Sequence, residues 1–281
     1  MTSHEISEIP QSLISILKSC QSEDRELHHF PPTEIFNEGW MLRLVLDALE
    51  NLEKSVGVAD THPLKFCKGA KWYSEARLSS PFLRKPKKDL PSKGKDTLGE
   101  GYTNADGVIG HFTFREGTKA GLKLNKKGEG TRQFIVVEAK MNSNLSSGTT
   151  NAPGYNQAAR NVACMAETIR LSGTSLDDLK SVGFFVVTAK QDTKLADCLK
   201  PKSIRDAVNE RINSYESASR KEARDLSEWK TQYFLPLVDR LENEKRLSVL
   251  TWKQIIDPIA DIDQAKGNEL RQFYEYCLKY A

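Results

Sequence analysis

The chain contains no apolar run approaching the roughly 20 residues that a membrane-spanning helix requires, and its N-terminal stretch MTSHEISEIPQ carries acids where a secretory signal would carry a basic segment and then an apolar one. A cytoplasmic protein with no membrane association is therefore expected. Its five cysteines, Cys20, Cys67, Cys164, Cys198 and Cys277, are odd in number and scattered, with no CxxC and no Cys/His cluster at zinc-ligand spacing. They read as free thiols, not as a disulfide framework or a zinc site. No GxSxG elbow is present, which leaves a serine hydrolase without support. Nor is there a recognisable helix-turn-helix or zinc finger to read nucleic-acid sequence. His28 and His29 are adjacent, a spacing poorly suited to one metal, and read as loop residues.

With 38% hydrophobic and 28% charged residues, the 281-residue chain has the composition of an ordinary globular protein with a sizeable core. The net charge of +3 is small but unevenly placed. RKPKKDLPSKGKD (84–96) holds six basic residues against two acids, and KLNKKGEG (123–130) adds three lysines. Each is loop sequence, and each alone reads as a solvated surface. If both flank one groove, they would neutralise phosphates there.

The spacing of apolar residues predicts a helix over 34–52, strands over 70–78, 103–114 and 132–141, a helix over 155–171 and a buried strand over 181–189. Two long charged helices follow, with a kink or break near Pro236. A short strand over 246–252, a short helix and a C-terminal helix complete the order. With no repeat and no separating linker, residues 1–281 read as one domain. Its core spans about 34–190, and a helical extension with a short strand occupies 191–281. The fold class is α/β or α+β, with a central mixed sheet flanked by helices.

The third predicted strand ends in FIVVEAKM. Glu138 and Lys140 leave the same face as Phe134 and Val136, while Val137 and Ala139 face the other way, so a core-forming face finishes as a polar site. An isolated ExK of this kind usually means an ordinary ion pair. Asp106, within NADGVIG on the preceding strand, adds a second carboxylate. Two converging carboxylates repel, and a divalent cation such as Mg²⁺, often held by one or two carboxylates plus water, would balance them. Glu38, beside the apolar face of the first helix, is a third candidate. Glu34 and Glu38 equally suit the positive end of the helix dipole. Glu75 either joins the site or pairs with Arg77, the ion pair being the better reading. His111 faces away from Asp106 by parity and reads as packed.

An acidic helix residue, then Asp106, then Glu138-Ala139-Lys140, then a helix carrying Gln157: this order resembles the PD-(D/E)XK, or restriction-endonuclease-like, nuclease superfamily. The resemblance covers roughly residues 34–190. It implies a core of helix, three antiparallel strands, helix and strand. It also implies an endonuclease or exonuclease that hydrolyses phosphodiester bonds of nucleic acid, DNA foremost, with Mg²⁺ or Mn²⁺. Asp106 and Glu138 would hold the metal with the Ala139 carbonyl, Lys140 would orient or activate water, and Gln157 and Glu38 would complete the catalytic set. Double-strand cutting would suit a homodimer. Two features depart from the pattern. Ala105 stands where the superfamily's proline would be, and Asn161 stands four residues after Gln157, where related subgroups carry tyrosine, the nearest aromatic being Tyr155. The contrasting expectation is a non-catalytic module that binds nucleic acid or protein on the same fold.

Overall fold

The computed structural model describes residues 11–84, 96–125, 132–142, 145–148 and 151–281. Most of both basic runs, residues 85–95 and 126–130, lies outside the described residues. The described chain is α+β. Its central sheet has the strand order β1 (Lys71–Leu78), β2 (Thr103–Gly110), β5 (Arg132–Ala139), β6 (Leu179–Thr188) and β7 (Leu247–Thr251). β1 and β2 pair antiparallel, as do β2 and β5, while β6 runs parallel to β5 and β7 parallel to β6. The strand expected over 103–114 turns at His111, and Phe112–Phe114 (β3) leaves the main sheet to pair with Leu122–Leu124 (β4).

Helices cover both faces. A short helix, α1 (Gln11–Ser19), precedes α2 (Glu38–Ser55), whose apolar positions Met41, Leu42, Val45 and Leu49 are fully buried against one face of the sheet. Asn37 caps α2, its side chain accepting the Trp40 N–H at 3.0 Å and donating to the carbonyls of Thr33 and Glu34. Glu34 therefore lies in a preceding 3₁₀ turn, outside the helix where the sequence had placed it. Gly107 lets α2 come close, because a Cβ there would sit 2.9 Å from Leu42 Cδ2 and 3.0 Å from Leu46 Cδ1. On the opposite face lies α3 (Gln157–Ser172), which starts at an Asn156 cap and stops at Gly173 in the left-handed conformation, φ 63°. The even residues of β5, Phe134 and Val136, join the core beneath α3, while Ile135, Val137 and Ala139 join the core beneath α2.

Around β7, the C-terminal third adds α4 (Thr193–Cys198), α5 (Pro201–Ser217), α6 (Glu222–Trp229), α7 (Leu235–Asn243), α8 (Trp252–Ile262) and α9 (Gln264–Tyr280). Pro236 does not break its helix. The chain runs from α6 into α7 through a π turn over Lys230–Phe234, whose wider winding accommodates a residue with no N–H to donate. Charge in this region is not all solvated. Arg211, 3% exposed, donates to the carbonyls of Asn151 and Leu98, and Tyr215 Oη also reaches Leu98. Arg220 pairs with Asp96 at 3.0 Å. These side chains pin two connections, one entering β2 and the other entering α3.

Gly107→Ala should destabilise the protein by about 1–3 kcal/mol through overpacking against Leu42 and Leu46, read as a lower urea midpoint with unchanged slope.

Candidate active site

The β2–β5 ladder ends at the Gly107–Val137 pair. One residue further along, the Asp106 side chain replaces the backbone, its Oδ2 accepting the Ala139 N–H at 2.8 Å. Asp106 and Glu138 thus stand across from each other where the two strands part. On its other side Asp106 faces Glu75, which lies between the Ser74–Gly107 and Ala76–Ala105 pairs of β1 and β2.

Glu138 is 1% exposed and surrounded by donors. Its Oε1 accepts from Lys140 Nζ at 2.7 Å and from Gln157 Nε2, and its Oε2 accepts from Asn161 Nδ2 at 3.3 Å. Gln157 is fixed in turn, because its Oε1 accepts the Ser146 N–H and its own N–H meets the Ser146 carbonyl. The Lys140 backbone is anchored at both ends: its N–H donates to the Val187 carbonyl at 2.8 Å, and its C=O accepts from Trp252 Nε1 at 3.1 Å. The ammonium accordingly emerges from a fixed point at the end of β5.

Burial, then the charge of Asp106, pushes the Glu138 carboxyl up to about 7 against the opposing pull of Lys140. Burial draws the Lys140 ammonium down, but Glu138, Asp106 and Glu38 outweigh it and leave it raised. Glu75 is raised by burial and by Asp106, with Arg43 working against both. Three carboxyl groups, Asp106, Glu138 and Glu75, face two cations, Lys140 and Arg43, at this junction, and a divalent cation between Asp106 and Glu138 would fit the donor set. Among the described residues, no group of three or more His, Cys, Asp or Glu side chains gathers to hold an ion unaided. Such a cation would depend on the two carboxylates and on water, as Mg²⁺ commonly does.

Five of the expected residues, Asp106, Glu138, Ala139, Lys140 and Gln157, are thus brought together. Glu38, the half-buried first residue of α2, acts on Lys140 through its charge. The pairing of Glu75 with Arg77 does not occur. Glu75 instead lies 3.9 Å from Arg43, while Arg77 stacks on Tyr102. Glu75 has φ 56°, a left-handed conformation uncommon for a residue with a side chain. Tyr155 turns away from the site into the core, edge-on to Phe82. His111 is packed between β5 and the Lys68 loop, with Nδ1 accepting the Gln133 N–H and Nε2 facing the Lys68 carbonyl. Sequence reasoning missed Asn161 as a partner of Glu138. Its spacing of four from Gln157 places both on one face of α3, which was the available signal.

A cation held by Asp106 and Glu138 would compete with a proton for Glu138. Binding of Mn²⁺ should weaken as pH falls below about 7 and should release protons in that range, seen by calorimetry in buffers of different ionisation enthalpy. Glu138→Gln should abolish the proton release.

No protein-family model matches the chain, and neither does any curated protein or solved structure.

Proposed function

We propose that this protein is a metal-dependent nuclease that hydrolyses phosphodiester bonds of nucleic acid, with DNA as the first substrate to test. The observation that carries the reading is the convergence of Asp106 and Glu138 from neighbouring strands, with the Lys140 ammonium on Glu138 Oε1. The order α2, β1, β2, β5, α3, β6 supports it, since it follows the helix, three antiparallel strands, helix and strand of the restriction-endonuclease-like core.

A bound Mg²⁺ would supply an acidified water molecule and charge neutralisation at the scissile phosphate. Asp106, Glu138 and the Ala139 carbonyl are the groups of this chain that would hold it. Gln157 and Asn161 fix both oxygens of Glu138, so the carboxylate presents one orientation and needs no reorganisation during reaction. Lys140 places positive charge where the phosphate becomes more negative as water attacks phosphorus and the 3′ oxygen leaves. The two carboxylates would otherwise repel an anionic phosphate, and Lys140 offsets that repulsion.

Asp106→Asn keeps an acceptor for the Ala139 N–H, and Lys140→Met keeps most of the apolar stem, so both variants should fold. Each should lower cleavage of labelled DNA in Mg²⁺ or Mn²⁺ on the order of a hundredfold or more, and EDTA should abolish wild-type cleavage. Wild type that cleaves neither DNA nor RNA in either metal would refute the nuclease and favour a binding module on this fold.

A further inference from the structure

Two exposed aromatic rings, Trp40 and Tyr102, lie on segments that also carry residues of the site, and each has a guanidinium against it. Trp40 is 42% exposed on the first turn of α2, two residues after Glu38, and Arg43 lies 4.9 Å from its ring centroid. Arg43 is itself tied to the site's rim, since its Nε donates to Ser74 Oγ at 2.9 Å and its Nη2 is 3.9 Å from Glu75, the residue facing Asp106. Tyr102 is 56% exposed immediately before β2, with Arg77 4.9 Å from its centroid. Asp106 lies four residues further along that strand, a distance of roughly 13 Å at the usual rise per residue. Arg77 Nε is buried and has no hydrogen-bond partner.

Neither ring is used by the core. The third exposed aromatic side chain, Phe114, differs in this respect, because it packs edge-on against Tyr73 at 4.8 Å. Trp40 and Tyr102 remain exposed with an arginine over each ring, and that guanidinium would supply positive charge for a backbone phosphate. Aromatic platforms interleaved with cations suit unpaired nucleotides, whose bases are free to stack, and not the closed stack of a duplex.

Building on the nuclease reading, we propose that Trp40 and Tyr102 are stacking platforms of a groove crossing the site, and that the substrate presents an unpaired strand, either single-stranded nucleic acid or a single-stranded end. Arg43 and Arg77 hold the two rings in place and face the strand's phosphates. The test is fluorescence anisotropy in EDTA, where binding is read without cleavage. It compares a labelled single strand of about 16 nucleotides with its blunt duplex. Trp40→Ala and Tyr102→Ala should each weaken single-strand binding by about tenfold or more, with duplex binding unchanged. Trp40→Phe and Tyr102→Phe should retain most of the affinity, and circular dichroism of these surface variants should match wild type. Single-strand affinity that is indifferent to both alanine substitutions, tighter binding of the duplex, or no strand binding at all would overturn the inference. Ring-dependent strand binding without cleavage in Mg²⁺ would remove the nuclease reading alone. Cleavage that depends on Asp106 while both alanine variants bind like wild type would remove this inference alone.

Discussion

Glu138 is the constraint around which the rest of the site is arranged. A carboxylate at 1% exposure beside a second carboxylate is costly, and it persists only if its surroundings compensate. Lys140 comes from the same strand, Gln157 and Asn161 come from α3, and Asp106 turns one oxygen to the Ala139 N–H. The compensation is incomplete: burial, and then the charge of Asp106, still hold the carboxyl raised to about 7. Burial is the larger part of that remainder and the charge of Asp106 the smaller, and a cation shared by the two carboxylates would offset the second. Buried groups with strongly perturbed proton affinity cluster at functional sites for this reason.

The surrounding architecture positions the junction. Gly107 admits α2 to the sheet immediately after Asp106, and the β2–β5 ladder stops there, so the two carboxylates occupy the point where the strands diverge. The buried arginines of the C-terminal helices act at longer range. Arg211 and Arg220 fasten the segment entering β2, and Arg211 also fastens the one entering α3. Without those anchors, the strand that carries Asp106 and the helix that carries Gln157 would begin from loosely held loops.

Much of this was legible in the sequence because the signals are local. Alternation along FIVVEAKM separates the Glu138 face from the Val137 face, and apolar spacing marks α2 and α3. What escaped depends on contacts between distant segments. Arg211 continues the buried stripe of Ile204, Ala207, Val208 and Tyr215 along its helix, but the two carbonyls it meets belong to distant loops that no local pattern names. Pro236 reads as a break because proline removes a donor, and only the packed helix shows that a π turn absorbs the defect. Glu75 and Arg77 are two apart on a strand and look like an ion pair. The left-handed backbone at Glu75 and the nearby α2 arginine and Tyr102 ring redirect both. Asn161 was readable by helical spacing, and a tyrosine expected at that position obscured it.

The bond from Trp252 to the Lys140 carbonyl spans 112 residues of sequence. It joins the end of β5 to the point where β7 passes into α8, so the last strand and its following helix form part of the floor under the lysine. A nascent chain that has emerged only as far as β6 already holds Asp106, Glu138, Lys140 and Gln157. It still lacks the strand that pairs with β6 and the indole that fixes the lysine backbone. This frame is therefore complete only once Trp252 has been made, and a chain cut before it carries the acids without the indole that fixes the lysine backbone.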